Sequence, residues 1–219
     1  MTAPTAVIFD NDGLLLDTES VWTRAERKLY VRRGHEFTLA HKQELVGQPA
    51  GAAATIMARH LDQSGSAREL ISELDQVVFE ELESGVEPMA GARELVAAVR
   101  ARHVPIALVS NSPARFIARA LELVGMEDQF PVVVSGHDVA APKPAPDAYL
   151  RACELLGVAA DLEVIVLEDS PTGVTAARAA GLTTIGVPSL PGIGLDHAHQ
   201  VVGSLRAPEL LELLELVPE

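Results

Sequence analysis

The apolar positions of this chain follow two regimes. Residues 6–9 (Ala-Val-Ile-Phe) are a short, continuous, β-rich apolar run that ends on Asp10. From 19 to 83 the pattern is helical throughout. A first helix is predicted from about Glu19 to Arg33, with Gly34 as its stop. An Ala-rich stretch runs from Pro49 to Leu61. The clearest helix comes next: Ser66 and Glu69 form a capping box, and Leu70, Leu74, Val77, Val78 and Leu82 recur on one face. From Pro88 onward the pattern alternates. Predicted helices at Arg93–Arg102, Pro113–Val124, Ala145–Leu156 and Pro171–Ala180 interleave with apolar strands at Pro105–Val109, Val132–Val134, Val164–Leu167 and Thr183–Val187. Val201–Leu205 reads as a further strand and Ala207–Leu216 as a last helix.

Strands that are apolar on both faces and separated by helices predict a buried parallel sheet with helices on either side, a doubly wound α/β fold. The first strand stands apart from the others. The economical arrangement is one Rossmann-like domain with a helical insert after its first strand.

Charge changes the picture of what such a fold binds. The 219 residues carry 17 basic and 31 acidic side chains, a formal net charge of −14. That sign disfavours nucleic acid and anionic membrane surfaces as partners. Cys153 is the single cysteine, so no internal disulfide can form and a reducing compartment is expected. No apolar run is long enough for a membrane span and no signal peptide is visible, so the protein reads as cytoplasmic. A monomer or weak homodimer is the default expectation. The charge-dense stretch Glu26–Arg33 reads as a solvated helix face, and Asp196-His-Ala-His199 as a surface loop.

The carboxyl ends of parallel strands lie on one edge, and ligands bind there. Here those ends share a chemistry: Asp10-Asn-Asp12-Gly13, Ser110-Asn111-Ser112, Ser135-Gly-His137-Asp138 with Lys143 soon after, and Glu168-Asp169-Ser170. Two carboxylates about 5 Å apart repel by roughly 3 kcal/mol at an effective dielectric of 20. Four of them need a cation, or some stay protonated. Without cysteine or paired histidines, a hard ion fits best, and Mg²⁺ is the natural choice beside phosphate oxygens. Ser112-Pro113 and Ser170-Pro171 each predict a hydroxyl N-cap with proline at the first helical position. Two helix N-termini would then offer free N–H groups to an anion. Lysine, cation and helix N-termini together predict a phosphate site inside an acidic protein.

These four segments, in this order, resemble the haloacid dehalogenase (HAD) superfamily, in its β-phosphoglucomutase-like and sugar-phosphatase branch. Asp10-x-Asp12-Gly13 is similar to the first motif, Ser110 to the second, Lys143 in Lys-Pro-Ala-Pro-Asp to the third, and Glu168-Asp169 in Glu-Asp-Ser-Pro to the fourth. The resemblance spans residues 6–187 and implies an α-helical cap in the insert. It implies a core at 1–16 and 87–219 and a cap at 17–86. It also implies roles. Asp10 is the nucleophile that forms an aspartyl-phosphate, and Asp12 is the general acid/base. Mg²⁺ is held by Asp10, the Asp12 backbone carbonyl and Asp169, with Glu168 direct or through water. Ser110 and Asn111 bind phosphoryl oxygens, and Lys143 neutralises charge. The implied substrate is a small phosphomonoester such as a sugar phosphate. Specificity would lie in the cap, with Glu19, Trp22 and Gln48 as site-facing candidates.

The sequence departs from the branch in places. The β-phosphoglucomutase group carries histidine ten residues after the second aspartate, where this chain has Trp22. It also has an arginine shortly after a cap glycine, where this chain has Gln48-Pro49-Ala50-Gly51 after Gly47. Both departures weigh for phosphatase over phosphomutase, which stays as the alternative. Ala141-Pro142 replaces the usual Arg-Gly before Lys143, and His137 stands where an acid is commoner. A receiver-like phospho-acceptor switch uses similar residue types. It places its acid pair on the first strand, however, and here the Glu168-Asp169 pair comes last.

Overall fold

The three central strands, residues 6–10, 106–110 and 164–168, are apolar up to the polar residue that ends each, as a sheet covered on both faces requires. The computed structural model describes residues 4–46, 48, 50–62 and 67–216. Its strands are β1 (Ala6–Asp10), β2 (Ile106–Ser110), β3 (Val132–Ser135), β4 (Val164–Glu168), β5 (Thr183–Gly186) and β6 (Gln200–Val201). They form one parallel sheet in the order β3-β2-β1-β4-β5-β6. The predicted strand Val201–Leu205 is a two-residue edge strand, Gln200–Val201. Val202 and Leu205 instead turn into the core, 5% and 4% exposed.

Side chains alternate between the two faces of the sheet. Val7, Phe9, Leu108 and Leu167 pack with α5 (Ala92–Ala101), α6 (Ala114–Leu123) and α9 (Pro208–Leu213). Ala6, Ile8, Val109 and Val166 pack with α7 (Asp147–Leu156) and α8 (Pro171–Ala179). Burying each of these aliphatic side chains contributes about 1.5–3 kcal/mol. Cys153 of α7 sits in this second layer, where burial pushes its thiol up to about 11 and leaves it unreactive.

Between β1 and α5 lie α1 (Thr18–Arg32), α2 (Leu39–Leu45), α3 (Ala50–His60) and α4 (Ala67–Glu83). The helical stretch 19–83 thus divides into four pieces. Gly34, at φ +76°, ends the first, and residues 35–38 run non-helically into α2. The Ser66 hydroxyl of the predicted capping box, together with Gly47 and Pro49, lies outside the described residues. Glu26–Arg33 is not simply a solvated face. Glu26, Leu29 and Tyr30 are buried, while Arg32 and Arg33 pair with Glu73 of α4. Arg24 pairs with Glu81 of α4 at 2.8 Å.

The chain enters and leaves this insert along two adjacent segments. Asp17 N–H donates to Glu87 O at 2.8 Å and Met89 N–H to Leu15 O at 2.9 Å. The insert also leans on α6. Trp22 and Phe79 meet the Phe116 ring at 5.5 and 5.8 Å, and Arg115 pairs with Asp75 at 3.0 Å. Among the described residues no helix is long and apolar enough to cross a membrane.

Candidate active site

β1 delivers Asp10 as its last residue, on the same face as Ala6 and Ile8. The loop between β3 and α7 arrives there with Lys143. Lys143 Nζ lies 2.6 Å from Asp10 Oδ1 and 2.6 Å from Glu168 Oε1, and donates to Val109 O at 3.0 Å. Asn111 fixes that loop. Its Oδ1 accepts from Lys143 N–H at 3.0 Å, and its Nδ2 donates to Lys143 O at 3.2 Å. The far side of Glu168 is closed by Tyr149, whose hydroxyl donates to Oε1 at 2.5 Å, and by the N–H and hydroxyl of Ser170 on Oε2. A Cβ at residue 173 would overlap the Glu168 carboxylate at 1.8–2.1 Å, so Gly173 leaves the room that group occupies.

Asp12 is held by four donors. Thr18 Oγ1 (2.6 Å) and Asn11 Nδ2 (3.2 Å) reach Oδ1, while Ser112 Oγ (2.9 Å) and the Ser110 hydroxyl reach Oδ2. The expectation for Ser112 therefore fails. Pro113 occupies the N-cap of α6 with no side-chain cap, because the Ser112 hydroxyl is spent on Asp12. Ser170 does cap α8, accepting from Gly173 N–H at 3.0 Å, with Pro171 opening the helix. Ser110 is fully buried, its hydroxyl given to Asp12 and accepting from Ser112 N–H at 2.8 Å.

Asp10, Glu168 and Asp169 bring carboxylate oxygens within 4.8 Å of one another, and all three are buried. Burial pushes the Asp10 carboxyl well above the ordinary carboxylate range. The charges of Glu168 and Asp12 add to that and Lys143 opposes it. Asp169 is raised in the same way, by burial first and then by Asp10 and Glu168, against one hydrogen bond from Ser189 at 2.6 Å. Burial works against the Lys143 ammonium, but Asp10 and Glu168 overcome it and hold its pKa well above that of free lysine. One lysine is too little counter-charge for this cluster. An all-oxygen donor set that resists ionisation by itself is what a hard divalent cation completes.

The insert forms the other wall. Asp10, Asp12, Lys143 and Asp169 share a cavity of about 60 Å³ with Glu19, Trp22, Glu26, Lys42 and Gln48. The cavity also meets Ser112, Pro113 and Ser170, the residues that open α6 and α8. The structure thus gathers Asp10, Asp12, Asn111, Lys143 and Asp169, together with Glu19, Trp22 and Gln48. Ser110 and Glu168 stand behind that wall. Sequence reasoning missed Thr18, Ser112, Tyr149 and Ser189 as supports, and Lys42 and Glu26 as cavity residues. The histidines of 196–199 are tied into the fold: His199 Nδ1 accepts from Thr184 N–H at 2.9 Å, and His197 reaches Pro171 O at 3.1 Å.

Glu26 offers a test of the insert's electrostatics. Burial, only partly offset by Lys42, pushes its carboxyl from 4.5 up to about 7. Between those values the folded state holds a proton that the unfolded chain has lost. Stability therefore falls as pH rises through that window and levels off above it. The shift is worth about 3 kcal/mol. Glu26→Gln should make the fall between pH 5 and pH 8 in urea denaturation smaller, with Asp10 and Asp169 left to supply the remainder. An unchanged difference would show that another group titrates.

A buried acid cluster at the carboxyl edge of a parallel sheet, bridged by one lysine and roofed by helices, defines an α/β enzyme site for an anionic ligand. Residues 7–187 match the haloacid dehalogenase-like hydrolase family, and the chain belongs to it. A phosphorylated carbohydrates phosphatase of Thermotoga maritima is 33% identical over 82% of this chain and 83% of its own. A HAD family hydrolase from Deinococcus radiodurans, solved with phosphate and sodium bound, superposes with a TM-score of 0.76 at 28% identity, covering 98% and 97% of the two chains. A β-phosphoglucomutase from Clostridium difficile reaches a TM-score of 0.83 at 22% identity over 96% of each chain, a likeness of fold alone.

Proposed function

We propose that this chain is a Mg²⁺-dependent phosphatase of small phosphomonoesters, sugar or polyol phosphates, that works through an aspartyl-phosphate on Asp10. One observation carries the reading: Asp10 sits in a cavity beside Asp12, Asp169 and Lys143, with the openings of α6 and α8 facing the same space. The relatives named above act on phosphorylated carbohydrates or hold phosphate.

In this reading an Asp10 carboxylate oxygen attacks phosphorus, and the bond from phosphorus to the leaving oxygen breaks. Asp12 gives that oxygen a proton. It then takes one from the water that attacks the phosphorus and returns Asp10 to a carboxylate. Lys143 opposes the burial that pushes Asp10 toward its neutral form, and it meets phosphoryl charge. Asn111, tied to the Lys143 loop, and Ser110, turning from Asp12, supply donors to phosphoryl oxygens. Asp10, the Asp12 backbone carbonyl and Asp169 would hold Mg²⁺, with Glu168 behind them. The ion would draw charge from the phosphoryl oxygens.

Residues 17–86 act as a cap over a core formed by 1–16 and 87–219. A cavity of about 60 Å³ has room for a few waters, so a sugar phosphate enters only when residues 17–86 move away from the core. Trp22 where the mutases carry histidine favours water over a sugar hydroxyl as phosphoryl acceptor.

The test is phosphate release from a panel of phosphomonoesters, with and without chelation. Removing divalent metal with EDTA should cut turnover by at least about 100-fold, and added Mg²⁺ should restore it. Full turnover after chelation would sink the metal assignment. An isomerised sugar phosphate without phosphate release would replace the phosphatase by a mutase.

A further inference from the structure

The roof of the cavity holds an ion group that the chemistry at Asp10 does not use. Lys42 of α2 is 5% exposed, and its ammonium lies 2.7 Å from Glu19 Oε2 and 3.1 Å from Glu26 Oε2, both on α1. All three side chains line the same cavity as Asp10 and Asp169. Burial works to lower the Lys42 pKa, but the two glutamates overcome it and hold the ammonium above the ordinary lysine value.

Counting charge around the cavity decides what this group can accept. Among the described residues, the ionisable side chains that line it are five carboxyls (Asp10, Asp12, Glu19, Glu26, Asp169) and two ammoniums (Lys42, Lys143). Lys143 is committed to Asp10 and Glu168. A divalent ion in the acid cluster would balance one phosphoryl group. That leaves Lys42 alone to meet anything further on the substrate, and it is already neutralised. A second phosphate or a carboxylate on the leaving group would face a lysine already paired with Glu19 and Glu26, with no spare cation, and desolvating an unpaired anion is costly. A hydroxyl fits both partners: it accepts the third N–H of Lys42 and donates to a glutamate oxygen.

Resting on the phosphatase reading, we infer that the Lys42–Glu19–Glu26 group is the specificity element of the cap. It takes an uncharged, hydroxyl-bearing leaving group, a polyol or sugar monophosphate, and rejects phosphomonoesters that carry a second anion. Lys42 and its glutamates bind the leaving group and are not part of the reacting centre.

The test compares kcat/KM for sorbitol 6-phosphate, fructose 1,6-bisphosphate, 2-phosphoglycolate and p-nitrophenyl phosphate, in the native protein and in Glu19→Gln. Glu19 is chosen because it is partly exposed at the cavity, and glutamine keeps its size. The native protein should prefer sorbitol 6-phosphate over both doubly anionic substrates by at least tenfold. In Glu19→Gln, Lys42 loses one counter-charge. The ratio of bisphosphate to polyol kcat/KM should then rise at least fivefold, mainly through KM. At pH 8, above the range in which Glu26 holds its proton, Glu26→Gln should shift the ratio in the same direction. A native preference for the bisphosphate or phosphoglycolate overturns the inference. So does a variant that lowers all four substrates by one common factor, as a structural role would. Absence of hydrolysis on every substrate, p-nitrophenyl phosphate included, instead overturns the phosphatase reading beneath it.

Discussion

Replacing Asp10 by Asn should abolish turnover of p-nitrophenyl phosphate, by on the order of 10⁴-fold or more, while the protein stays folded. The loss is large because an amide oxygen is a poor nucleophile and the other carboxyls around Asp10 are held by their own partners, Asp169 by the Ser189 hydroxyl. Asp12 is held by four donors, and Glu168 is closed in by Lys143, Tyr149 and Ser170. The fold should tolerate the change. Asparagine keeps the oxygen that accepts from Lys143, and it removes a buried carboxylate that burial already pushes toward the neutral form. A change in unfolding free energy of less than about 2 kcal/mol is expected. Loss of activity with loss of folding would assign Asp10 a structural role only.

Lys143→Met should do the opposite: it should damage stability as much as chemistry. Lys143 is 3% exposed and bridges Asp10 and Glu168, each at 2.6 Å. Removing one partner of a buried ion group leaves the other uncompensated, which costs about 3–5 kcal/mol. The sign of the pH dependence follows. Without the ammonium, the folded-state pKa of Asp10 rises further above its unfolded value. Stability is then lost as pH rises above the unfolded carboxylate range and is recovered where that carboxyl is protonated. The variant should therefore be much closer to the native protein in stability at pH 5 than at pH 8. At pH 8, Mg²⁺ should recover part of the loss by supplying the missing charge. Equal destabilisation at both values would mean that Lys143 acts through packing, for example its 4.9 Å contact with the Tyr149 ring.

The core was open to sequence reading because its logic is local. Val7 to Phe9 and Ile165 to Leu167 are buried on both faces, so their apolar runs have no polar gaps. The residues that end those strands, Asp10 and Glu168, fall on one edge by topology alone. The supports were hidden because they depend on tertiary approach. Ser112 looks like a helix cap until Asp12, one hundred positions away, accepts its hydroxyl. Glu26 lies in a run of charges, and only the packing of α2 against α1 turns it inward to Lys42. Short α2 carries too few apolar positions to mark its own ends.

The central claim is that Asp10 carries the phosphoryl group, and Asp12→Ala allows it to be seen. The p-nitrophenolate leaving group needs no proton, so the first step survives this change, whereas attack by water loses its base. Mixed with p-nitrophenyl phosphate and Mg²⁺, the variant should release a burst of about one equivalent of p-nitrophenolate and then slow sharply. Acid quenching and peptide mass mapping should place one phosphoryl group on Asp10. Linear release with no burst, or a phosphoryl group on any other residue, would contradict the account.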